Sequence, residues 1–383
     1  MTDEKIHVEL VRTGELRDFV NRPDVMQGSV VPISRLRAAA HAANPVADPD
    51  DPALMLAMRD GKCLAYLGFM PGLLRIDGQL QKIFWYTTWY AAKDPRDAAA
   101  GGVLLLASLR VGVDIATTGL DPKTFEYYRR LRFKAIGPLP YFELNFDRFD
   151  PLGFPARVLQ VLLRRKGRRS AAVDAIFRAG RGFTKTAAYG LARNVLRHAN
   201  QQYDFAELSE LPADAWSDEE AAPVEFYRDT EFVRWSLQYP WITDQKDLST
   251  PRYEFSDFRE LVRFVVLEAR RRNSNEHLGH VVLSVCRDQG ITTIKILHHF
   301  LHCSDRYQVL LAAALVYSGK FRADRIHVPA GCEDSIGSSV LLRTAFRRRN
   351  REYFCFPRRR ESVLGPALDR LELNYCDGDT PFS

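Results

Sequence analysis

The chain has 383 residues and a formal net charge of +6, long enough for two domains that each bury a core. Hydrophobic residues make up 46% and charged residues 27%, the composition of a globular protein, and its longest apolar runs, "VLLLA" and "VLLAAALVY", fall short of the roughly 18–20 residues that span a bilayer. No transmembrane helix is therefore expected. The start "MTDEKIHVEL" has no apolar region or small-residue cleavage site, so a cytoplasmic location is expected. The six cysteines form no C-x-x-C pair, and five fall in the last hundred residues; buried reduced thiols are the reading.

Taken in order, "IHVELV" reads as a strand, and "GELRDFVNRPDV" and "SRLRAAAHAAN" as helices, with Ser34 as N-cap and Asn44-Pro45 as a stop. Residues 53–92 read as a meander of three antiparallel strands, because Asp60-Gly61 and Asp77-Gly78 are strong hairpin signals. Then come "AAKDPRDAAAGG" and a helix to about Val113, a strand "DIATTGL", the helix "DPKTFEYYRRL" and a closing strand pair through "YFELNF". This order predicts an α/β domain over residues 1–150.

Residues 151–200 hold eleven Lys or Arg against one acid, Asp174, so the excess positive charge belongs to this stretch. Apolar and basic residues alternate there at helical spacing, and Gly180 and Gly182 separate two helices of a basic connector. From Tyr203 the earlier plan returns: hairpin strands through "TTIKILHHF", a helix "SDRYQVLLAAALVYSGKF", a strand "ADRIHVPA", a helix "SSVLLRTAFRRR" and closing strands "EYFCFP" and "LELNY". Residues 201–383 therefore read as a second domain repeating the architecture, not the residues, of the first.

Two stretches carry chemistry. Arg96, Ala99, Gly101 and Gly102 precede an apolar helix. A helix N-terminus offers unpaired N–H groups and the positive end of a dipole, and small residues let a pyrophosphate reach them. Arg96 can add a charge-assisted bond; a glycine-bearing packing turn is the alternative. In "YYRRLRF", the Tyr128 hydroxyl can protonate a leaving thiolate, because phenol and thiol pKa values are close. A packing aromatic with a wet tip is the alternative.

Together these features resemble the GNAT superfamily of acyl-CoA-dependent N-acyltransferases. Its members carry R/Q-x-x-G-x-G/A at the helix that binds the CoA pyrophosphate, and later Y-x-x-L-G-F, whose Tyr is often the general acid. Here the matching stretches are "RDAAAG" (96–101) and "YRRLRF" (128–133), with Ala99 in place of the first Gly and Arg132 in place of the Gly of "LGF". In element order the resemblance covers residues 6–147. It implies an α/β fold class of two tandem GNAT-like domains, each a mixed, mostly antiparallel sheet with flanking helices, joined by the basic helical connector. The co-substrate implied is acetyl-CoA or another acyl-CoA, with no metal. Arg96, Ala99, Gly101 and Gly102 would hold the pyrophosphate, with Tyr90 and Ala91 at the end of the preceding strand beside it. Tyr128 would be the general acid, and the acceptor an amine, such as an amino sugar of cell-envelope polysaccharide synthesis.

The base is not evident, since "KIFWYTTWYAA" carries no carboxylate or His; Glu143 and Glu126 are candidates by default. Trp85 and Trp89, with Tyr86 and Tyr90, suggest an aromatic surface for a large acceptor, core packing being the alternative. The second half has no glycine-rich turn before its helix, and Ser304 or Asp305 stands as its cap, so this half is expected to be degenerate for CoA. His299 or His302 could line an acceptor cleft, whereas "LHHFLHC" lacks a regular zinc spacing. Three partners suit residues 151–200: solvent alone, an anionic membrane at its inner face, and tRNA, which double-GNAT aminoacyltransferases use in aminoacylated form. A GNAT-like scaffold without activity is the alternative to the enzyme.

Overall fold

The computed structural model describes residues 5–94, 97, 99–146, 202–215, 223–337, 346–358, 364–375 and 377–378. The basic stretch 151–200 and Arg96 lie outside them. In chain order the elements are β1 (His7–Arg12), α1 (Leu16–Phe19), α2 (Pro23–Met26), α3 (Arg35–Ala42), β2 (Pro52–Arg59), β3 (Lys62–Ile76), β4 (Gln79–Ala91), α4 (Ala99–Ser108), β5 (Ile115–Thr118), α5 (Phe125–Arg130) and β6 (Lys134–Asn145). There follow β7 (Tyr203–Leu208), β8 (Val224–Tyr227), α6 (Thr230–Gln238), β9 (Leu261–Arg271), β10 (Glu276–Asp288), β11 (Ile291–Leu301), α7 (Arg306–Phe321), β12 (Arg325–Pro329) and β13 (Phe346–Phe356).

Two compact units form, and they cut the chain differently from a division at 150 and 201. The first takes Met1–Leu139, Glu210–Val262 and Asn350–Ser383; the second takes Pro140–Ser209 and Arg263–Arg349.

In the first unit the strands run in the order β1-β2-β3-β4-β5-β13. β1 to β4 form the expected antiparallel meander. Both hairpin turns place Asp and Gly in the left-handed region, Asp60 and Gly61 at φ 51° and 70°, Asp77 and Gly78 at 48° and 83°, as a two-residue primed turn requires. Ser34 caps α3 by accepting the Arg37 N–H at 3.1 Å. β5 lies parallel to β4 through only two residue pairs, Phe84 with Ile115 and Trp85 with Ala116. β8 extends the free edge of β3 at Leu73–Ile76, and α6 brings Phe232 and Trp235 to a core shared with Trp85, Phe226 and Trp241.

In the second unit the order is β7-β9-β10-β11-β12-β6, and β12 is parallel to β11 as β5 is to β4. The two units thus repeat one α/β plan with their closing strands exchanged. β13, the last strand among the described residues, pairs with β5 from Ile115↔Phe356 to Thr118↔Tyr353, while residues 141–145 of β6 pair with β12.

The closing strand pair expected before Asn145 is instead one strand. Gly137 supplies a single left-handed residue (φ 97°) and Pro138 keeps its fixed φ, so the backbone kinks there without reversing. The helix expected over 338–349 is not formed at its end: Phe346–Arg349 belong to β13, and 338–345 lie outside the described residues. The stretch "LELNY" makes only an isolated bridge, Glu225↔Glu372. α4 stops at Ser108, not near Val113; Ser108 Oγ bonds back to the Leu105 carbonyl at 2.7 Å, and Gly112 turns left-handed soon after (φ 80°).

Candidate active site

The site of interest lies in the first unit, where β4 and β5 part. Beyond Trp85 the strand β4 runs on to Ala91 with β3 alone as neighbour, leaving a gap on its other side. A β-bulge shapes this run. Leu67 faces Trp89 but Phe69 faces Tyr86, so β4 carries one more residue than β3 between those pairs, and side-chain alternation is reset. Phe84, Tyr86, Trp89 and Ala91 therefore share one face, which packs against α4, whereas Ile83 and Trp85 look the other way. Gly68 is what permits the bulge, since a Cβ there would collide with the Thr87 hydroxyl. An isolated glycine inside the strand pattern "AYLGFM" is the sequence signal for it.

Two aromatic side chains with buried polar atoms meet on this face of β4. The rings of Trp89 and Tyr128 stand edge to face, centroids 6.2 Å apart at 82°. Tyr128 is fully buried with its hydroxyl facing Thr117 of β5, and the Trp89 Nε1–H has no hydrogen-bond partner among the described residues. Burial raises the Tyr128 pKa, Thr117 of β5 opposing it in part, so the phenol stays protonated. Tyr128 is held in place by Phe133 at 4.8 Å and by Phe354 of β13 at 6.1 Å between centroids.

The turn into α4 stands beside this pair. Gly101 is buried against β4, and a Cβ on it would come within 2.7 Å of the Ala91 Cβ and 3.7 Å of Trp89 Nε1. Its smallness thus serves the approach of helix to strand. Gly102 and Ala99 are exposed, and a Cβ on Gly102 would meet nothing within 4 Å, which leaves the first turn of α4 open. Before it, Asp97 forms an ion pair with Arg59 of β2 and accepts the Ala100 N–H at 2.9 Å. Arg59 so neutralises a carboxylate at the helix entry, a partnership that local sequence gives no hint of.

The other sequence candidates fall elsewhere. Trp85 is not part of an acceptor surface: it is 4% exposed and packs on Phe226 at 4.5 Å and Tyr353 at 6.3 Å between centroids, because the bulge separates its face from that of Trp89. Tyr90, half-buried, stacks on Tyr66 at 5.1 Å. Glu126 is exposed and pairs with Arg130 at 3.2 Å. Glu143 belongs to the second unit, with Arg349 at 3.4 Å and His327 at 3.8 Å, and is not among the residues gathered round Tyr128. His299 is half-buried on β11, also in the second unit. No group of three or more His, Cys, Asp or Glu that could hold a metal ion occurs among the described residues, and no helix among them is long and apolar enough to cross a membrane.

At the equivalent place in the second unit, Asp305 stands at the N-cap of α7, but its side chain does not cap the helix. The carboxylate is taken by Arg271, through two bonds of 3.1 Å, and by the Tyr203 hydroxyl at 2.6 Å. Despite burial, these bonds hold its pKa down to about 2, so a negative charge is fixed at that helix start.

No protein-family model and no curated protein matches the chain. Several solved structures are similar to it in fold. A probable N-acyltransferase from Enterococcus faecalis V583 shares 8% identity, with 91% of this chain and 72% of that one covered, at a TM-score of 0.48. A GCN5-related N-acetyltransferase from Anabaena variabilis shares 9%, covering 92% and 72%, at 0.44. A tandem GNAT protein from the clavulanic acid biosynthesis pathway shares 11%, covering 92% and 98%, at 0.46.

Proposed function

We propose that the chain is an acyl-CoA-dependent N-acyltransferase whose working site is the β4–β5 gap of the first unit. The observation that carries this reading is the edge-to-face pair of Tyr128 and Trp89, the Trp89 N–H without a partner among the described residues, placed beside the first turn of a ten-residue helix. Burying a donor without a partner costs about 1–3 kcal/mol, and a bound thioester would give the Trp89 N–H an acceptor. Ala99 and Gly102 leave the helix N–H groups within reach of a pyrophosphate, with Arg96 as the charged partner. Acyl-CoA supplies an acyl group already activated for transfer. When the acceptor amine attacks the thioester carbonyl, a C–N bond forms and the C–S bond breaks; Tyr128 would give its hydroxyl proton to the departing sulfur, and the proton released by the acylated nitrogen would return to the phenolate oxygen. The Trp89 N–H, close to Gly101 of α4, would donate to a carbonyl or sulfur bound there.

Among the described residues the second unit has no glycine-bearing first turn at α7, and its helix start is occupied by the Asp305–Arg271–Tyr203 cluster, which supports its reading as the degenerate half. The acceptor is an amine, with amino sugars first in the panel to be assayed. Residues 151–200 would dock the enzyme on an anionic membrane surface; flotation with anionic liposomes tests this, and binding to tRNA in their place would overturn it. For the function itself, acetyl-CoA and longer acyl-CoAs are titrated into the purified protein. A ligand at a hundred times its Kd stabilises by about 2.7 kcal/mol, so an unchanged melting curve and no heat of binding would end the proposal.

A further inference from the structure

The helices α4 and α5 cover the same side of the first unit's sheet: Leu104 and Leu105 of one and Tyr128 of the other enter one core with Phe84, Tyr86 and Phe354. No charged residue occurs between Asp97 and Arg110, so α4 is apolar on every side, the pattern of a helix that is covered all round. Its outer face is nonetheless bare. Gly102, Val103 and Leu106, spaced by about one turn, are exposed, Val103 to 39% and Leu106 to 53%, and Tyr127 of α5 is exposed to 64%. Single apolar side chains scattered over a surface need no explanation. Here, however, three of the six large hydrophobic residues exposed among the described residues fall in one helical layer.

The polar residues round this face are basic. Arg110 continues the line of Val103 and Leu106 past the end of α4, and Arg129, Arg130 and Arg132 stand exposed at the end of α5. Residues 99–134 hold six Lys or Arg against three acids, and each acid is engaged locally. Asp114 accepts the Arg358 backbone N–H, Asp121 accepts the Lys123 N–H at 2.9 Å, and Glu126 pairs with Arg130 at 3.2 Å. The layer therefore combines an apolar centre with a cationic rim.

We infer that the outer face of α4 and α5 docks on an anionic lipid bilayer, with Val103, Leu106 and Tyr127 entering the headgroup region and Arg110, Arg129 and Arg132 against lipid phosphates. Interfacial helices bind through buried apolar area together with attraction to anionic lipid, and a tyrosine suits the boundary between the two. A nucleic acid would use the cations but leave Val103 and Leu106 wet. A second copy of the chain, meeting this face with its own, would set arginine against arginine. The contact is separate from the one proposed for residues 151–200, and it does not rest on the acyltransferase reading.

The test uses the full chain, with residues 151–200 unaltered throughout, in flotation with vesicles of equal parts phosphatidylglycerol and phosphatidylcholine, and of phosphatidylcholine alone. Wild type is expected to float with the anionic vesicles and not with the neutral ones. Leu106→Glu, a change at an exposed position, is expected to melt like wild type and to bind roughly tenfold more weakly or worse. Arg129→Gln is expected to bind about fivefold more weakly, and Leu248→Glu, at a similarly exposed leucine outside this layer, as wild type does. No flotation of wild type, or an equal loss with Leu248→Glu, overturns the proposal. Flotation unchanged by Leu106→Glu also overturns it and leaves docking to residues 151–200. A wild-type dimer in sedimentation that Leu106→Glu makes monomeric would assign the face to a second copy instead. Acyl-CoA takes no part in these measurements, so a failed acyl-CoA titration would remove the acyltransferase reading alone.

Discussion

Trp89 and Tyr128 meet edge to face at 82° because a bulge opposite Gly68 carries Trp89 onto the face of β4 that looks toward α4. Without the extra residue, Trp89 would share a side with Trp85 and lie in the core round Phe226. The contact that defines the candidate site is therefore made by a local irregularity of one strand.

Replacing Tyr128 with Phe separates catalysis from stability. The variant keeps the ring contacts with Phe133 and Phe354 and loses a buried hydroxyl that faces Thr117, so it is expected to stay within about 1 kcal/mol of wild type. Turnover on an accepted amine is expected to fall by roughly 10²–10⁴. Steady-state kinetics beside a denaturant melt check both; unchanged turnover would remove Tyr128 from the acid role.

The two glycines of α4 are expected to respond in opposite ways. Gly101→Ala drives a methyl to within 2.7 Å of the Ala91 Cβ, both fixed to backbone, and overpacking of this kind costs about 1–3 kcal/mol. Gly102→Ala meets open space and gains about 0.5–1 kcal/mol of helix propensity, while crowding the open first turn and raising the Kd for CoA. Urea melts and CoA titration of both variants test the pair.

Arg132 sits at φ 67°, so the turn after α5 adopts the left-handed backbone that favours glycine. An L-residue there costs about 1–2 kcal/mol, and glycine returns part of that to the entropy of the unfolded chain. Arg132→Gly is expected to raise stability by about 1 kcal/mol. A drop in Tm would show that the Arg132 side chain makes a compensating contact.

Asp377 gives a signature in pH. Burial, opposed by Arg228 at 2.8 Å, pushes its carboxyl from 3.8 up to about 7. The folded chain thus keeps a proton that the unfolded chain has released, and stability falls as pH rises from about 4 to 7, by at most about 4 kcal/mol. Asp377→Asn is less stable above about pH 7, where it deprives Arg228 of a counter-charge; below that, where the folded wild type carries a neutral carboxyl, its stability should be flatter across the window. Equal slopes in urea melts at pH 4.5, 5.5 and 6.5 would refute the assignment.

Much of the first unit is legible locally. The Asp-Gly turns, the Ser34 cap and the strand meander follow from residues adjacent in sequence, as does the strand–helix order that points to α4. Trp85 shows where such reading stops: its burial depends on Phe226 and Tyr353, residues remote in sequence. The exchanged strands are hidden for the same reason. "YFELNF" and "EYFCFP" look alike as strands, and which sheet each joins is decided by long-range pairing and packing, not by propensity.

The exchange has a consequence in time. β5 is made more than two hundred residues before β13, its partner in the first unit. At roughly 5–20 residues per second, a ribosome leaves the edge of β5 waiting for about 12–50 s. Throughout that interval Phe354 is absent from the Tyr128 cluster, and the nascent chain carries an open strand edge able to pair with another chain. The site should therefore become competent only after β13 has been made, and lag behind the rest of the fold on refolding, as pairings of such high contact order do.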